Sequence, residues 1–413
     1  MRKTLLAVAL LVLLASACLL GAPQENPAPA APASETPLPP PPQATNTIPP
    51  SETPLPPSET PLPDTPTPSA VPTVAPPVAY GPDNFPPNVN PLTGLPVADP
   101  QKLERRPLGA KIEMFPRMHR PPWGVAMADI VYDYYQNNGM TRFHPIFYGQ
   151  DAETVGPIRS ARLLDGPIVR QYKSILAFGS ADKRILSKLL NTEYYDRLIM
   201  EGAQNCPPMC RVDPNGANLL TTNTAELSKY VTAKGIPNGR QNLNGMSFNT
   251  VTPAGGQPFT QMFMRYSISA YNRWDYDPAS QRYLRFQDTQ EAADAKSEVV
   301  APLTDRLTNQ QISTDNVVVL FLNHKFLYKS NSGNSEIVEY QFDGSGDAIA
   351  FRDGQAFQVK WNRPKFDSVV YLTFPDGTPY PYKPGTTWYE VMGTSSKTEN
   401  PGPGIYRVTF SIP

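Results

Sequence analysis

The chain has 413 residues, with 50 prolines, 3 cysteines and a formal net charge of -1. This charge argues against a nucleic-acid partner, because binding to phosphates usually requires a basic face. The 3 histidines lie far apart in the sequence, so we expect no histidine-rich metal centre and no cofactor, although a cation site made of carboxylates stays open. Beyond the first 80 residues about 330 remain, enough for one large or two ordinary domains.

The chain starts with the three parts of an export signal. Two basic residues follow Met1, residues 5–14 are apolar, and small residues occupy 15–17. The apolar run is too short to cross a bilayer as a helix, which takes about 20 residues. Small residues directly before Cys18 are typical of a lipobox, so we predict a signal peptide at 1–17 and acylation of the Cys18 thiol. Cleavage by an ordinary signal peptidase is the alternative, because alanine stands three before Cys18, where leucine is commonest.

The other two cysteines, Cys206 and Cys210, are close enough in sequence to form a disulfide. Exported proteins live where disulfides persist, and this pairing leaves Cys18 over for a lipid. Two free thiols at an accidental spacing are the alternative interpretation.

Residues 18–80 are dominated by Pro, Ala, Thr and Ser, and the hexapeptide Ser-Glu-Thr-Pro-Leu-Pro occurs three times among them. Such a composition cannot bury enough apolar surface to offset its ordering entropy. We therefore predict a disordered, extended linker that acts as a spacer. A ligand for a proline-binding module is the alternative.

The remaining pattern predicts an α+β fold: a mixed α/β domain at 81–250, followed by a mainly antiparallel β domain at 251–413. In chain order, the first domain is predicted to contain strands at 108–112, 130–135, 143–148 and 175–178, a helix at 165–173, and helices capped by Ser180 and Asn223. The second is predicted to contain strands at 263–276 and 282–286, a helix at 289–306, and strands at 316–322, 337–342, 348–351, 355–361 and 369–374. Whether the two domains share a sheet is not decided by this pattern.

Several segments resemble the YerB-like lipoprotein family, which carries a paired domain of unknown function. They are residues 90–94, 128–132, 139–143, 156–162, 316–318, 344–346 and 385–388. The resemblance spans 85 to 393, and Gly-Pro-Ile-Arg-Ser-Ala-Arg at 156–162 is its most specific part. This resemblance implies a location in the cell envelope, and it implies no established activity. The order of elements is also similar to that of the LytR-CpsA-Psr phosphotransferases, but their motifs are not matched residue for residue, so no catalytic role is carried over.

Three arginines, Arg142, Arg159 and Arg162, are the main candidates for a binding site. A guanidinium fork matches phosphate or carboxylate in two-point contact. Arg159 and Arg162 are three apart and would face one side of a helical turn, where Ser160 adds a hydroxyl. Asp129, which opens a neighbouring strand, completes the candidate anion site.

The same residues also allow other interpretations. Ion pairs of Arg162 with Asp165 and of Arg159 with Asp129 would fix the loop without binding any ligand. Asp129 and Asp133 are four apart on one strand and face the same side, so they could hold a divalent cation or act as acid and base. Acidic residues at strand ends also occur simply for solubility.

Aromatic residues of the second domain could form a glycan-binding surface, although cross-strand packing is the simpler explanation. They are Trp274, Trp361, Trp388, Tyr380, Tyr382 and Tyr389.

We therefore expect a lipid-anchored protein on the extracytoplasmic side of the cell membrane, whose body binds a cell-wall glycopolymer or an envelope protein and is not an enzyme. The alternative is a phosphotransferase or hydrolase that acts on polyprenyl-phosphate-linked or other anionic glycopolymers with a divalent cation. A scaffold without a small ligand is the third possibility. Convergence of the arginines on a cleft favours an anion site or an enzyme, whereas separate acidic partners favour the scaffold.

Overall fold

The computed structural model describes residues 78–213, 216–329 and 336–412. The predicted signal peptide, the lipidation site Cys18 and residues 18–77 of the predicted linker lie outside this range. In the described part of the chain, no helix has the length and apolar character needed to cross a membrane.

Short strands and three α-helices make up the described N-terminal half. The strands are β1 (Ala79–Tyr80), β2 (Val89–Asn90), β3 (Leu95–Pro96), β4 (Leu108–Ala110), β5 (Ile112–Glu113), β6 (Ile130–Asn137), β7 (Met140–Phe147), β8 (Ile175–Phe178), β9 (Leu198–Met200), β10 (Met209–Val212), β11 (Leu219–Thr222) and β12 (Ser247–Asn249). The α-helices are α1 (Asp165–Tyr172), α2 (Lys183–Leu190) and α3 (Thr224–Ala233). Single 3-10 turns lie at Pro100–Glu104, Arg117–His119, Val125–Met127, Tyr195–Arg197 and Ala203–Asn205.

Strands alone make up the described C-terminal half. They are β13 (Gln257–Pro258), β14 (Gln261–Arg265), β15 (Tyr271–Asp277), β16 (Arg282–Asp288), β17 (Val300–Pro302), β18 (Ser313–Thr314), β19 (Asn316–Lys329), β20 (Glu336–Gln341), β21 (Gly344–Arg352), β22 (Gln355–Arg363), β23 (Tyr371–Thr373), β24 (Pro381–Tyr382), β25 (Thr387–Gly393), β26 (Lys397–Gly402) and β27 (Ile405–Thr409). The described protein is thus mostly β with few helices.

Local sequence signals explain where several elements begin and end. The side chain of Asn223 accepts a hydrogen bond from the Glu226 N–H and caps α3, as predicted. The cap of α2 is Asp182 rather than the predicted Ser180. Asn138 and Gly139 both have positive φ and close the predicted hairpin between β6 and β7.

The predicted helix at 289–306 is wrong, although its residues have good helix propensity. The Asp294 carboxylate accepts hydrogen bonds from the backbone N–H groups of Lys296 and Ser297, which closes a local turn instead. Glu298 lies within 3.1 Å of nitrogen atoms of Arg265 and Arg407, so tertiary ion pairs pull this segment onto the sheet. Long-range contacts therefore override local propensity here.

One sheet of 13 strands contains strands from both predicted domains, with the order β13-β22-β21-β19-β25-β6-β7-β4-β8-β9 and with β20, β23 and β5 attached at its sides. Strand β25 lies parallel to β19 on one side and parallel to β6 on the other. Every residue of β25 is buried, as expected for a central strand covered on both faces. The two halves of the chain therefore share a sheet.

A second sheet has seven strands, in the order β17-β16-β15-β14-β27-β26 with β18 beside β16. It contains the predicted hairpin of β15 and β16, while the single strand predicted at 263–276 is divided into β14 and β15. Apart from the parallel pair of β14 and β27, its strands are antiparallel.

Buried charges join the two sheets. Arg285 of β16 donates to Asp133 of β6 at 2.7 Å and to Glu390 of β25, and all three side chains are fully buried. Tyr266 and Trp274 donate to the Glu390 carboxylate at 2.9 Å each. Asp133 is thus neither a cation ligand nor a residue for solubility, because it belongs to an internal ion-pair network.

The aromatic residues proposed as a glycan surface are buried in the core, so that interpretation is wrong and the packing interpretation is confirmed. The rings of Trp274 and Trp388 meet edge to face with centroids 5.1 Å apart. The hydroxyls of Tyr382 and Tyr389 lie 2.9 Å apart.

The network predicts a pH dependence of stability. Burial, and then the neighbouring Glu390 carboxylate, raise the pKa of Asp133 to about 7. A folded-state pKa above the unfolded value means that the stabilising contribution is present at low pH and is lost as pH rises. Because of Asp133, we expect the free energy of unfolding to fall by roughly 2–4 kcal/mol as pH rises from about 4 to 7. Asp133→Asn should remove this slope of the free energy of unfolding against pH.

Urea denaturation at a series of pH values measures this slope. Asp83→Asn, at an exposed position, is the control and should keep the wild-type slope. A wild-type slope in Asp133→Asn would contradict the assignment.

Candidate functional site

The segment at 156–162 is extended between two strands. Ile158 forms an antiparallel bridge with Ile112, and the N–H of Arg159 donates to the carbonyl of Lys111 at 2.8 Å. On the other side, the N–H of Gly179 donates to the carbonyl of Arg159 at 2.9 Å. These backbone bonds explain why the predicted helical turn is wrong and why α1 begins only at Asp165.

Arg142 and Arg162 nevertheless converge on one place, the carbonyl oxygen of Ser160. Arg142 Nη1 donates to this oxygen at 2.6 Å, and Arg162 Nη1 lies 3.4 Å from it. Arg162 also donates to the carbonyl of Ala161 at 2.9 Å and approaches the Asn137 amide oxygen at 3.5 Å. Among the described residues, neither guanidinium forms an ion pair with a carboxylate.

Arg159 differs from the other two arginines because it has its own acidic partner. Its Nε donates to Glu113 Oε2 at 2.8 Å, and Nδ1 of His119 lies 2.7 Å from the same oxygen. Glu113 therefore takes the place of the predicted partner Asp129. The Arg159 side chain is about one-third exposed, with 33% accessibility.

Asp165 lies buried beneath the arginines. Its carboxylate accepts hydrogen bonds from Tyr134 at 2.5 Å and from the backbone N–H of Arg162 at 2.6 Å, and lies 2.7 Å from His144 Nδ1. Although burial opposes ionisation, Lys111 at 3.5 Å and these hydrogen bonds hold the pKa of Asp165 well below its ordinary range. The expected ion pair with the Arg162 guanidinium is thus replaced by a bond to its backbone.

Lys111 is a fully buried cation that sequence reasoning missed. Its Nζ lies 3.6 Å from the centroid of the Tyr134 ring. Burial, opposed by Asp165 and reinforced by the charges of Arg142 and Arg162, lowers the Lys111 pKa to about 7. A lysine inside an apolar strand run is the signal that could have indicated it.

We call the group of Lys111, Arg142, Arg159 and Arg162, with Glu113 and Asp165, the arginine site. It contains four basic side chains and two carboxylates. Burial, and then repulsion by Arg162, lower the pKa of Arg142 to about 9. An anion placed between the two guanidinium groups would relieve that repulsion.

Ser160 contributes its backbone carbonyl to the arginine site, while its hydroxyl lies 2.9 Å from the hydroxyl of Ser180. The nearby histidines, His119 and His144, bind Glu113 and Asp165 instead. Within the described ranges, the hydroxyl therefore has no adjacent base to activate it as a nucleophile.

Asp129 is not brought to the arginine site. It is buried, and it accepts hydrogen bonds from the Asn90 side chain at 3.0 Å and from the N–H groups of Tyr148 and Gly149 at 2.5 Å and 3.1 Å. Burial raises its pKa to about 6 in spite of these bonds. Asp129 fixes the turn at residues 90–94 against the end of β7, so its role is structural.

Cys206 and Cys210 are joined by a disulfide. Cys206 lies just before β10, and Cys210 lies within it. In the part of the chain that the structure describes, no group of three or more His, Cys, Asp or Glu side chains is arranged to hold a metal ion.

Removing the charge of Asp165 should destabilise the protein. Asp165→Asn would remove the counterion of Lys111, so that this lysine loses its proton, and would weaken the hydrogen bond from Tyr134. Breaking a buried pair costs about 3–5 kcal/mol. Urea denaturation at pH 7 measures the loss. Asp347→Asn, at a position 75% exposed and paired with Lys360, should cost at most about 1 kcal/mol. Equal stability of the two variants would contradict the assigned role.

Comparison with known proteins gives a match in each half of the chain. Residues 92–237 match the N-terminal domain of the protein family of unknown function DUF3048, and residues 262–389 match its C-terminal domain. The chain is 25% identical over 309 residues to "Putative lipoprotein YerB" of Bacillus subtilis (strain 168), which covers 73% of this chain and 85% of that protein. The crystal structure of YerB protein from Bacillus subtilis has a similar fold, with a TM-score of 0.59 and 22% identity, over 74% of this chain and 96% of that chain. The chain therefore belongs to the DUF3048 family, as the short motifs indicated.

Proposed function

We propose that the folded body is a binding protein that takes up a phosphate- or carboxylate-bearing component of the cell envelope at the arginine site. The observation that carries this proposal concerns Arg142 and Arg162, whose guanidinium groups contact carbonyl and amide oxygens but no carboxylate of the described residues. Carbonyl oxygens satisfy the N–H groups without cancelling the charge, so an anion still gains from binding there.

The backbone around the site favours binding over a purely structural role. Arg142 extends from β7, and Arg162 follows directly after a segment bonded on both sides. Their hydrogen bonds to the carbonyls of Ser160 and Ala161 hold both guanidinium groups before any ligand arrives. Preorganised donors spare a ligand the entropy of ordering them. Arg159 is paired with Glu113, which fits the scaffold interpretation. We therefore assign Arg159 a structural role beside the other two arginines.

The cellular location of the protein is part of the same proposal. The leader pattern ending at Cys18 and the similarity to a protein named as a lipoprotein support acylation and attachment to a membrane. On this proposal, the folded body lies on the extracytoplasmic side, where envelope polymers and envelope proteins are accessible.

The enzymatic alternative gains no support from the geometry. It requires Asp129 beside the arginines, and Asp129 instead contacts Asn90 and the end of β7. We therefore propose binding without catalysis.

Titration calorimetry with inorganic pyrophosphate and with citrate tests the proposal and separates phosphate from carboxylate recognition. We expect Arg142→Gln and Arg162→Gln each to weaken binding of the preferred anion by about tenfold or more, since charged hydrogen bonds contribute about 1.5–3 kcal/mol. Affinity should also fall as salt is added.

Arg211→Gln is the matched control, because Arg211 is exposed and paired with Glu201 away from the site. It should bind like the wild type. The proposal fails if neither anion binds, or if the variants at 142 and 162 bind as tightly as this control.

The lipid anchor has its own test. Wild-type protein should fractionate with membranes, and Cys18→Ser should not, because the acylated thiol is lost. Mass spectrometry of the mature N-terminus measures the modification directly. Recovery of both proteins in the soluble fraction would refute the lipid anchor, and it would leave the proposal of anion binding at the arginine site unchanged.

A further inference from the structure

Strand β19 changes its neighbour partway along its length. It pairs with β21 as far as Leu320 and with β20 from Asn323 onwards. At the fork, the carbonyl of Phe321 accepts a hydrogen bond from Trp361 Nε1 at 3.1 Å instead of from a neighbouring strand. The indole lies directly over Gly346, where an added Cβ would come within 2.5 Å of Nε1. The fork opens a surface cavity of about 400 Å³.

A second cavity, of about 520 Å³, lies among α1, α2 and β20. Gln341 and Asp343 line both cavities, so the two are neighbours at the end of β20. We call the two neighbouring cavities together the trough. Two neighbouring cavities suit an extended ligand better than a single small molecule.

The charged side chains of the trough are already neutralised. Each of them has a partner of opposite charge, and the pairs are Asp343 with Arg363, Asp347 with Lys360, Lys188 with Glu339, and Arg170 with Glu193. The trough therefore has little net charge, in contrast to the arginine site, and a strongly charged ligand gains nothing by entering it.

What the trough offers is a mixture of donors, acceptors and apolar surface. Asn323 Nδ2 donates to Gln341 Oε1 at 2.9 Å, which leaves the Asn323 amide oxygen and the Gln341 amide nitrogen for a ligand. Thr394 and Thr398 present hydroxyls at exposed positions. The half-buried ring of Phe321 lies among them, so aliphatic C–H groups of a ligand can pack against it while its hydroxyls are hydrogen-bonded.

We infer that the trough is a second binding site, for an uncharged linear oligosaccharide. A sugar chain presents hydroxyls along its edges and C–H groups on its faces, which matches this lining. Three aromatic residues of the core, Trp361, Tyr194 and Tyr340, form part of its walls. The trough does not depend on the anion site proposed above.

Titration calorimetry with uncharged tetrasaccharides of glucose and of N-acetylglucosamine, with each monosaccharide alongside, tests the inference. At least one tetrasaccharide should bind saturably, and at least tenfold more tightly than its monosaccharide, because the chain occupies both parts of the trough. Gln341→Ala, at the junction, should weaken binding at least tenfold, and Asn323→Ala should weaken it as well. Gln310→Ala, exposed outside the trough, should bind like the wild type.

Thermal unfolding of each variant checks that folding is preserved, and both alanine positions are exposed, so little loss is expected. Arg142→Gln should leave tetrasaccharide binding unchanged, which separates this site from the arginine site. The inference is overturned if no tetrasaccharide binds, if monosaccharide and tetrasaccharide bind equally, if Gln341→Ala and Asn323→Ala bind like Gln310→Ala, or if Arg142→Gln abolishes sugar binding.

Discussion

The position of β25 between β6 and β19 is the constraint on which the rest of the structure depends. Its backbone bonds to a strand of each family domain, and its side chain Glu390 meets Arg285 of the second sheet. One strand thus supplies the hydrogen bonds that complete the large sheet and a charge that holds the smaller sheet against it. Without β25, the edges of β6 and β19 would expose unpaired backbone groups inside the sheet. Arg285 would also lose the carboxylate of Glu390, and a buried arginine without its counterion is strongly unfavourable.

The sequence predicted those features that depend on near neighbours. The hairpin at Asn138 and Gly139, the cap of α3 and the burial of the aromatic residues all follow from local chemistry and hydrophobicity. It did not predict the parallel pairing of β25 with β6, because no local pattern specifies which distant strand becomes a neighbour. The missed turn around Asp294 has the same cause, since Glu298 is held by arginines from other strands.

The candidate site was predicted in part. Arg142 and Arg162 do meet, but through an extended segment rather than a helical turn, because residues 156–162 are bonded to strands on both sides. Lys111 and Glu113 were missed, because a charged residue in a short strand is usually expected to be exposed. Their burial becomes visible only when the pairing of β5 with β7 places Glu113 opposite Arg142.

Because β25 comes long after β6 in the sequence, it also sets the order in which the two sheets can be completed during synthesis. The strands β6 and β7 are made early, yet β6 keeps an unpaired edge until residues 387–393 have been added. In the second sheet, β14 likewise waits for β27. A chain that lacks these strands therefore exposes two aggregation-prone edges, and the ribosome must release the chain as far as residue 409 before both sheets can close.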